Sequence, residues 1–173
     1  MKKYSRILIL ANLVLLLGYF NWSVLKKEQT LKDGQLVLLH LAPVDPRSLI
    51  QGDYMRLNYE ATSSSPVLID EQTATRGYAI LKTDSNQIGQ LIRLQNTLTP
   101  LNDNEVVIKY KIVDNRIFLG AESFFFEEGQ DTLYQNAKYG GLKVDDKGQS
   151  LLVGLYDAVS YTHLRAHETV LDL

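Results

Sequence analysis

Hydrophobic and polar positions fall into two regimes along this chain. From Ile7 to Leu25 (ILILANLVLLLGYFNWSVL) nineteen residues pass without a charge. As a helix rising 1.5 Å per residue this run covers about 28 Å, enough for a hydrocarbon core of about 30 Å. From Gln35 onward the pattern changes to short strand-like segments separated by polar turns. Residues 35–41 (QLVLLHL) suit a buried strand. Residues 54–62 alternate, with Met55, Leu57, Tyr59 and Ala61 on one face and Arg56, Asn58 and Glu60 on the other. Residues 77–82 and 88–95 are two further strands around a polar turn. Residues 105–113 and 116–119 flank Asp114-Asn115, a pair that accepts positive φ in a tight hairpin. Residues 122–127 carry Phe124-Phe125-Phe126, apolar on both faces, which predicts a central strand. Residues 132–138 predict a short helix closed by Gly140-Gly141. Residues 142–144 and 150–156 form a last hairpin around Asp145-Asp146-Lys147-Gly148. The stretch 61–75 is the most loop-like, with a short helix expected over 67–74. No internal repeat is expected. The pattern predicts an all-β fold: a small sandwich or barrel of about eight short strands with one short helix, preceded by one N-terminal transmembrane helix.

Charges orient the apolar run. Lys2, Lys3 and Arg6 precede it, while Lys26 and Lys27 follow and are partly offset by Glu28. That bias places the N-terminus in the cytoplasm, with Tyr19 and Trp22 near the far headgroup layer. The sequence after the run offers no small residues at the positions a signal peptidase needs, so a retained anchor is expected. Asn12 reads as an amide tolerated near mid-membrane. The expected organisation is a cytoplasmic tip (1–6), an anchor (7–25), a linker (26–34) and an exported β domain (35–157). Residues 158–173 (AVSYTHLRAHETVLDL) resemble a translated transposase sequencing adapter and are expected to be a non-native tail. Setting them aside removes His163 and His167, whose spacing would otherwise suggest a metal pair.

With 173 residues, 45% hydrophobic and 22% charged, the chain holds one core-forming domain plus an appendage. The net charge of −2 is interspersed, which argues against a broad nucleic-acid footprint. There is no cysteine, so thiolate catalysis and thiolate metal sites are excluded. No metal and no cofactor is expected: Asp145-Asp146-Lys147-Gly148 lacks the further oxygen ligands and closing Glu of a calcium loop. His40, in an apolar strand, reads as a hydrogen-bonded core or boundary residue. Glu127 and Glu128, adjacent on a strand, point to opposite faces and do not form an acid–base pair.

Residues Gly52-Asp53-Tyr54-Met55-Arg56-Leu57-Asn58-Tyr59 spell G-D-Y-x-x-L-x-Y. The chain resembles the GDYXXLXY family of bacterial membrane-anchored proteins, on this motif and on the blocks at 124–130 (FFFEEGQ), 137–140 (AKYG) and 155–157 (LYD). The likeness covers most of residues 36–157. It implies an exported domain held by one helix in the inner (cytoplasmic) membrane, lying in the periplasm or outside, and accessory to a multi-pass membrane protein. It names Gly52, Asp53, Tyr54, Leu57 and Tyr59 as family-motif residues and carries no reaction.

Physically, Asp45-Pro46 and Gly52-Asp53 punctuate turns, Gly52 through its backbone freedom and Asp53 by accepting nearby N–H groups. Leu57 and Tyr59 then face the core. Asp45, Arg47, Lys138, Tyr139 and Gly140 are candidate interaction residues, and no catalytic residue is assigned. A competing reading places Ser48 ahead of the Gly52-Asp53 turn, as membrane-bound signal peptidases place a serine, for an exported envelope hydrolase. That chemistry needs a buried lysine, and Lys82 or Lys109 are the candidates. A third reading is a small-ligand or glycan module using an aromatic surface.

Overall fold

In the computed structural model of the chain, residues 2–42, 54–63, 69, 73–125, 134, 137–157 and 163–164 are described. The first element is a 32-residue helix, α1 (Lys2–Asp33). Its apolar side chains stand uncovered, with Leu15 74% and Leu8 70% exposed. A helix whose charge-free run is apolar on every side and left uncovered by its own domain suits lipid rather than water. Ile7–Asp33 is long and apolar enough to cross a membrane. The segment expected to link anchor and domain is itself helical as far as Asp33.

The rest is strand-rich: β1 (Gln35–His40), β2 (Tyr54–Arg56), a short helix α2 (Glu60–Ser63), β3 (Arg76–Thr83), β4 (Gly89–Gln95), β5 (Glu105–Val113), β6 (Arg116–Phe118), β7 (Ser123–Phe125), β8 (Tyr139–Val144), β9 (Ser150–Tyr156) and β10 (His163–Leu164). They form two four-stranded sheets, β1-β8-β9-β10 and β4-β3-β5-β6, and a ribbon, β2-β7. Every pairing between these strands is antiparallel. Two residues of the segment 158–173 supply β10, which pairs with Tyr156 and Leu155. One core joins the sheets and the ribbon. Val37, Leu39, Leu142 and Leu155 meet Ala79, Leu81, Ile108 and Tyr110, with Met55, Leu57, Tyr59 and Phe124 closing one end.

Asp114 and Asn115 take φ of 48° and 59°, so the β5–β6 hairpin turns as expected of a type I′ connection. Other expectations are corrected. The alternation at 54–62 is strand only to Arg56, because the chain then turns into α2, where the Tyr59 carbonyl accepts N–H bonds from Thr62 and Ser63. A short helix that was not expected therefore lies at Glu60–Ser63. Within residues 132–138, Tyr134 is helical and Ala137 and Lys138 are not, and the others lie outside the described residues. The helix expected over 67–74 is largely outside them too. Gly140 and Gly141, read as a helix cap, are mid-strand in β8. Among the described residues the phenylalanine strand is not central: β7 pairs with β2 alone, and Phe125 is 70% exposed.

The structure also contains a repeat that the sequence reading did not find. In the β3–β4 hairpin, Thr83 pairs with Gly89 across five loop residues, and the register shifts by one between Ile80 and Leu81. In the β8–β9 hairpin, Val144 pairs with Ser150 across five loop residues, and the register shifts at the matching place, between Gly141 and Leu142. The first loop residue anchors both turns. The Asp84 carboxylate accepts N–H bonds from Asn86 and Ile88, and the Asp145 carboxylate accepts them from Lys147 and Gln149. The fourth loop residue, Gln87 or Gly148, has positive φ in each. The sequence signal is Tyr78-x-x-Leu81-Lys82-x-Asp84 against Tyr139-x-x-Leu142-Lys143-x-Asp145. β5 flanks β3 as β1 flanks β8, and the tips cross over: Gln87 O accepts from Leu38 N and Gly148 O from Lys109 N, both at 2.8 Å.

Candidate functional site

The motif strand β2 pairs with the phenylalanine block. Tyr54 stands opposite Phe125, Met55 opposite Phe124 and Arg56 opposite Ser123. Beyond the strand, Leu57 N donates to Glu122 O at 2.8 Å. Alternation then sorts the side chains: Met55, Leu57 and Tyr59 are buried, whereas Arg56 and Asn58 are exposed. Tyr59 is the hub. Its hydroxyl donates to Ala121 O at 2.5 Å, and Leu41 bridges to it from the end of β1. Burial pushes its phenol well above the usual tyrosine range, and the nearby charge of Glu122 adds to the rise. Glu122 is held in turn by accepting the Leu119 N–H.

The Tyr59 ring lies across Gly140. A β-carbon there would stand 2.8 Å from the Tyr59 Cε1. On the next residue the Tyr156 ring covers Gly141 in the same way. The two glycines thus leave bare backbone for two tyrosine rings. Tyr139, between Lys138 and Gly140, turns to the opposite face and packs at a tilt of 48° against its register partner His40, with ring centroids 4.3 Å apart. Lys138 is exposed, and its backbone bonds Leu41 on one side and Tyr156 on the other.

So the structure brings Leu57, Tyr59, Tyr139 and Gly140 together with the blocks at 122–125 and 155–156. Gly140, a candidate contact residue, is buried beneath Tyr59. Tyr54 contributes its backbone to the ribbon. Asp45, Arg47, Ser48, Gly52 and Asp53 lie outside the described residues, as do Glu127 and Glu128. Of the candidate lysines, Lys82 is exposed and Lys109 half-buried, and neither has the full burial that a neutral lysine base requires. Among the described residues, no group of three or more His, Cys, Asp or Glu is placed to hold a metal ion.

A second site went unpredicted, at the other end of the domain. The last turns of α1 pack on the β8–β9 hairpin. Thr30 is buried, Gly34 N donates to Thr30 O, and Lys143 Nζ donates to Gly34 O at 2.8 Å. Gly34 is small of necessity, since a β-carbon would press on the Thr30 carbonyl and the Val144 backbone. A cleft of about 370 Å³ opens there between the helix and the hairpin tip. β1 separates this end from the motif by six residues, about 20 Å of strand.

A family model described as GDYXXLXY protein matches residues 16–155. The matched span takes in the second half of α1, its junction with the hairpin, and the described motif geometry up to Leu155. No curated protein and no solved structure matches the chain. The chain belongs to the GDYXXLXY family.

Proposed function

We propose that this GDYXXLXY-family chain is an anchored accessory subunit, with α1 in the cytoplasmic membrane, its N-terminus inside, and the β domain outside holding a multi-pass membrane partner. The observation that carries this reading is Phe125, 70% exposed on the ribbon that contains the motif strand. A large aromatic with most of its surface exposed on a two-stranded ribbon suits a protein contact. Arg56 and Asn58, exposed beside it, supply a polar rim. The junction at Gly34 leaves no slack between helix and domain, so the ribbon is held at a fixed height above the membrane. The motif then serves as scaffold: Leu57 and Tyr59 tie the ribbon to β1 and β8 so that Phe125 is presented rigidly.

The test is purification of the tagged full chain from native membranes, with Phe125→Ser and Arg56→Glu beside the wild type. The expected result is a stoichiometric multi-pass protein, identified by mass spectrometry, that both variants lose while their melting temperatures hold. An unchanged set of copurifying proteins, there and with Asp53→Ala and Tyr54→Ala, defeats the reading. The exposed ring also suits a small-ligand or glycan module, which predicts quenching or shift of a Phe125→Trp reporter by soluble saccharide instead.

A further inference from the structure

The cleft between α1 and the β8–β9 tip lies at a definite depth. The charge-free run of the helix ends at Leu25, and Lys26 to Asp33 rises about 12 Å further. The headgroup layer on one side of a bilayer is about 5–7 Å thick. The cleft is lined from Trp22 and Leu25 up to Asp33 and Gly34 on the helix, and by Asp145, Asp146 and Lys147 on the tip. With α1 spanning the bilayer, its floor would stand at the level of the headgroups and the hairpin tip would reach that layer.

The chemistry of the lining is mixed in sign. Two ammonium groups, Lys26 and Lys147, share it with three carboxylates, Asp33, Asp145 and Asp146, beside the indole of Trp22. Asp145 is fixed in place, since one of its oxygens already accepts the N–H groups of Lys147 and Gln149. A headgroup carrying only negative charge meets a lining with one carboxylate in excess. A choline headgroup has positive charge but no N–H to donate. A primary ammonium tethered to a phosphate matches both halves: phosphate toward Lys26 and Lys147, ammonium donating to the carboxylates.

We propose that this cleft binds the headgroup of an amine-bearing phospholipid of the phosphatidylethanolamine type, which seats the β8–β9 hairpin on the membrane. The proposal rests on α1 spanning the bilayer. Occupancy would brace the domain at a second point besides Gly34 and fix its tilt.

Trp22 is the single tryptophan of the chain and lines this cleft, so quenching of its emission reports on the lipid beside the cleft, against a headgroup-blind background from the lipid around α1. The full chain is reconstituted in phosphatidylcholine vesicles containing a minor fraction of acyl-chain-brominated lipid, carried on an ethanolamine, glycerol or choline headgroup. Brominated phosphatidylethanolamine should be enriched at Trp22 about two- to fivefold over the other two, the range expected of exposed ion pairs. Asp33→Asn with Asp146→Asn, both at exposed positions, should abolish that preference and leave the melting temperature unchanged. Equal quenching by all three headgroups, or stronger quenching by phosphatidylglycerol, overturns the proposal while leaving the anchor standing. Release of the chain by alkaline carbonate removes the anchor and the proposal together.

Discussion

Hairpins β3–β4 and β8–β9 share a loop, a bulge and a register, yet it is the second against which both the motif tyrosine Tyr59 and the long apolar helix α1 pack. The difference lies in what has been taken away. Where β3–β4 has Ala79, Ile80 and Arg93, β8–β9 has Gly140, Gly141 and Gly154. Removing those side chains exposes backbone on both faces of β8, and the rings of Tyr59 and Tyr156 occupy it. The β3–β4 copy keeps its side chains and fastens itself by charge. The Arg93 guanidinium forms a bidentate pair with Glu105, both bonds 2.7 Å. At the positions equivalent by register, the other unit has Gly154 and Leu36. One plan has thus been specialised twice, once as a self-clipped sheet and once as a docking platform.

Shared architecture predicts shared cost where the copies agree. Leu81 and Leu142 are equivalent and both fully buried. Truncating either to Ala should destabilise the domain by about 3 kcal/mol, read from urea melts of the full chain in detergent. A cost below about 1 kcal/mol for one and not the other would break the equivalence. The next largest effect separates the copies. Gly140→Ala merely installs the residue that Ala79 supplies in the first hairpin, yet it should cost about 2 kcal/mol because Tyr59 is buried and cannot retreat. In a Tyr59→Leu background much of that penalty should disappear, which a double-mutant cycle measures.

These pairs also show what the sequence could reveal. Short apolar runs bracketed by polar turn residues located β3, β4, β5, β6 and β9 closely, although burial within β3 and β5 is contiguous rather than alternating. Alternation overran at β2, because it reports burial and not hydrogen bonding. Met55, Leu57 and Tyr59 stay buried in step although the ladder ends at Arg56. Gly140-Gly141 misled for a different reason. A glycine pair signals missing side chains, and whether that serves a turn or a ring is decided by Tyr59, distant in sequence. The motif was legible as a family mark, and its burial at Leu57 and Tyr59 was foreseen. The hairpin repeat was overlooked because its identities are sparse and its bulge invisible without register. The helix–hairpin cleft had no local signal at all.

Smaller effects test the loops. Asp84→Ala and Asp145→Ala each remove an acceptor for two backbone N–H groups. Each should cost about 1 kcal/mol. The two should part company in membranes: the Asp145 variant should also lower lipid discrimination at Trp22, and the Asp84 variant should not.

The ionic clip gives the finest distinction, because it belongs to one copy only. Hydrogen bonds from Arg93, and after them from the Asn102 backbone and side chain, hold the Glu105 carboxyl down at about 2, from an ordinary value of 4.5. A depressed carboxylate stabilises the fold fully above its unfolded value and loses that contribution as pH falls toward its folded one. The stability that Glu105 adds should therefore be constant above about 4.5 and fade between there and about 2. Glu105→Gln cannot titrate, so its melting temperature should lie below wild type by a few degrees at neutral pH, with the gap closing across that acid window. Arg93→Gln should flatten the pH dependence in the same window, since it removes the main cause of the depression. A gap that persists undiminished to pH 2 would mean that Glu105 contributes as a hydrogen-bond acceptor rather than as a charge. The contrast between a clipped hairpin and a docked one would then rest on the glycines alone.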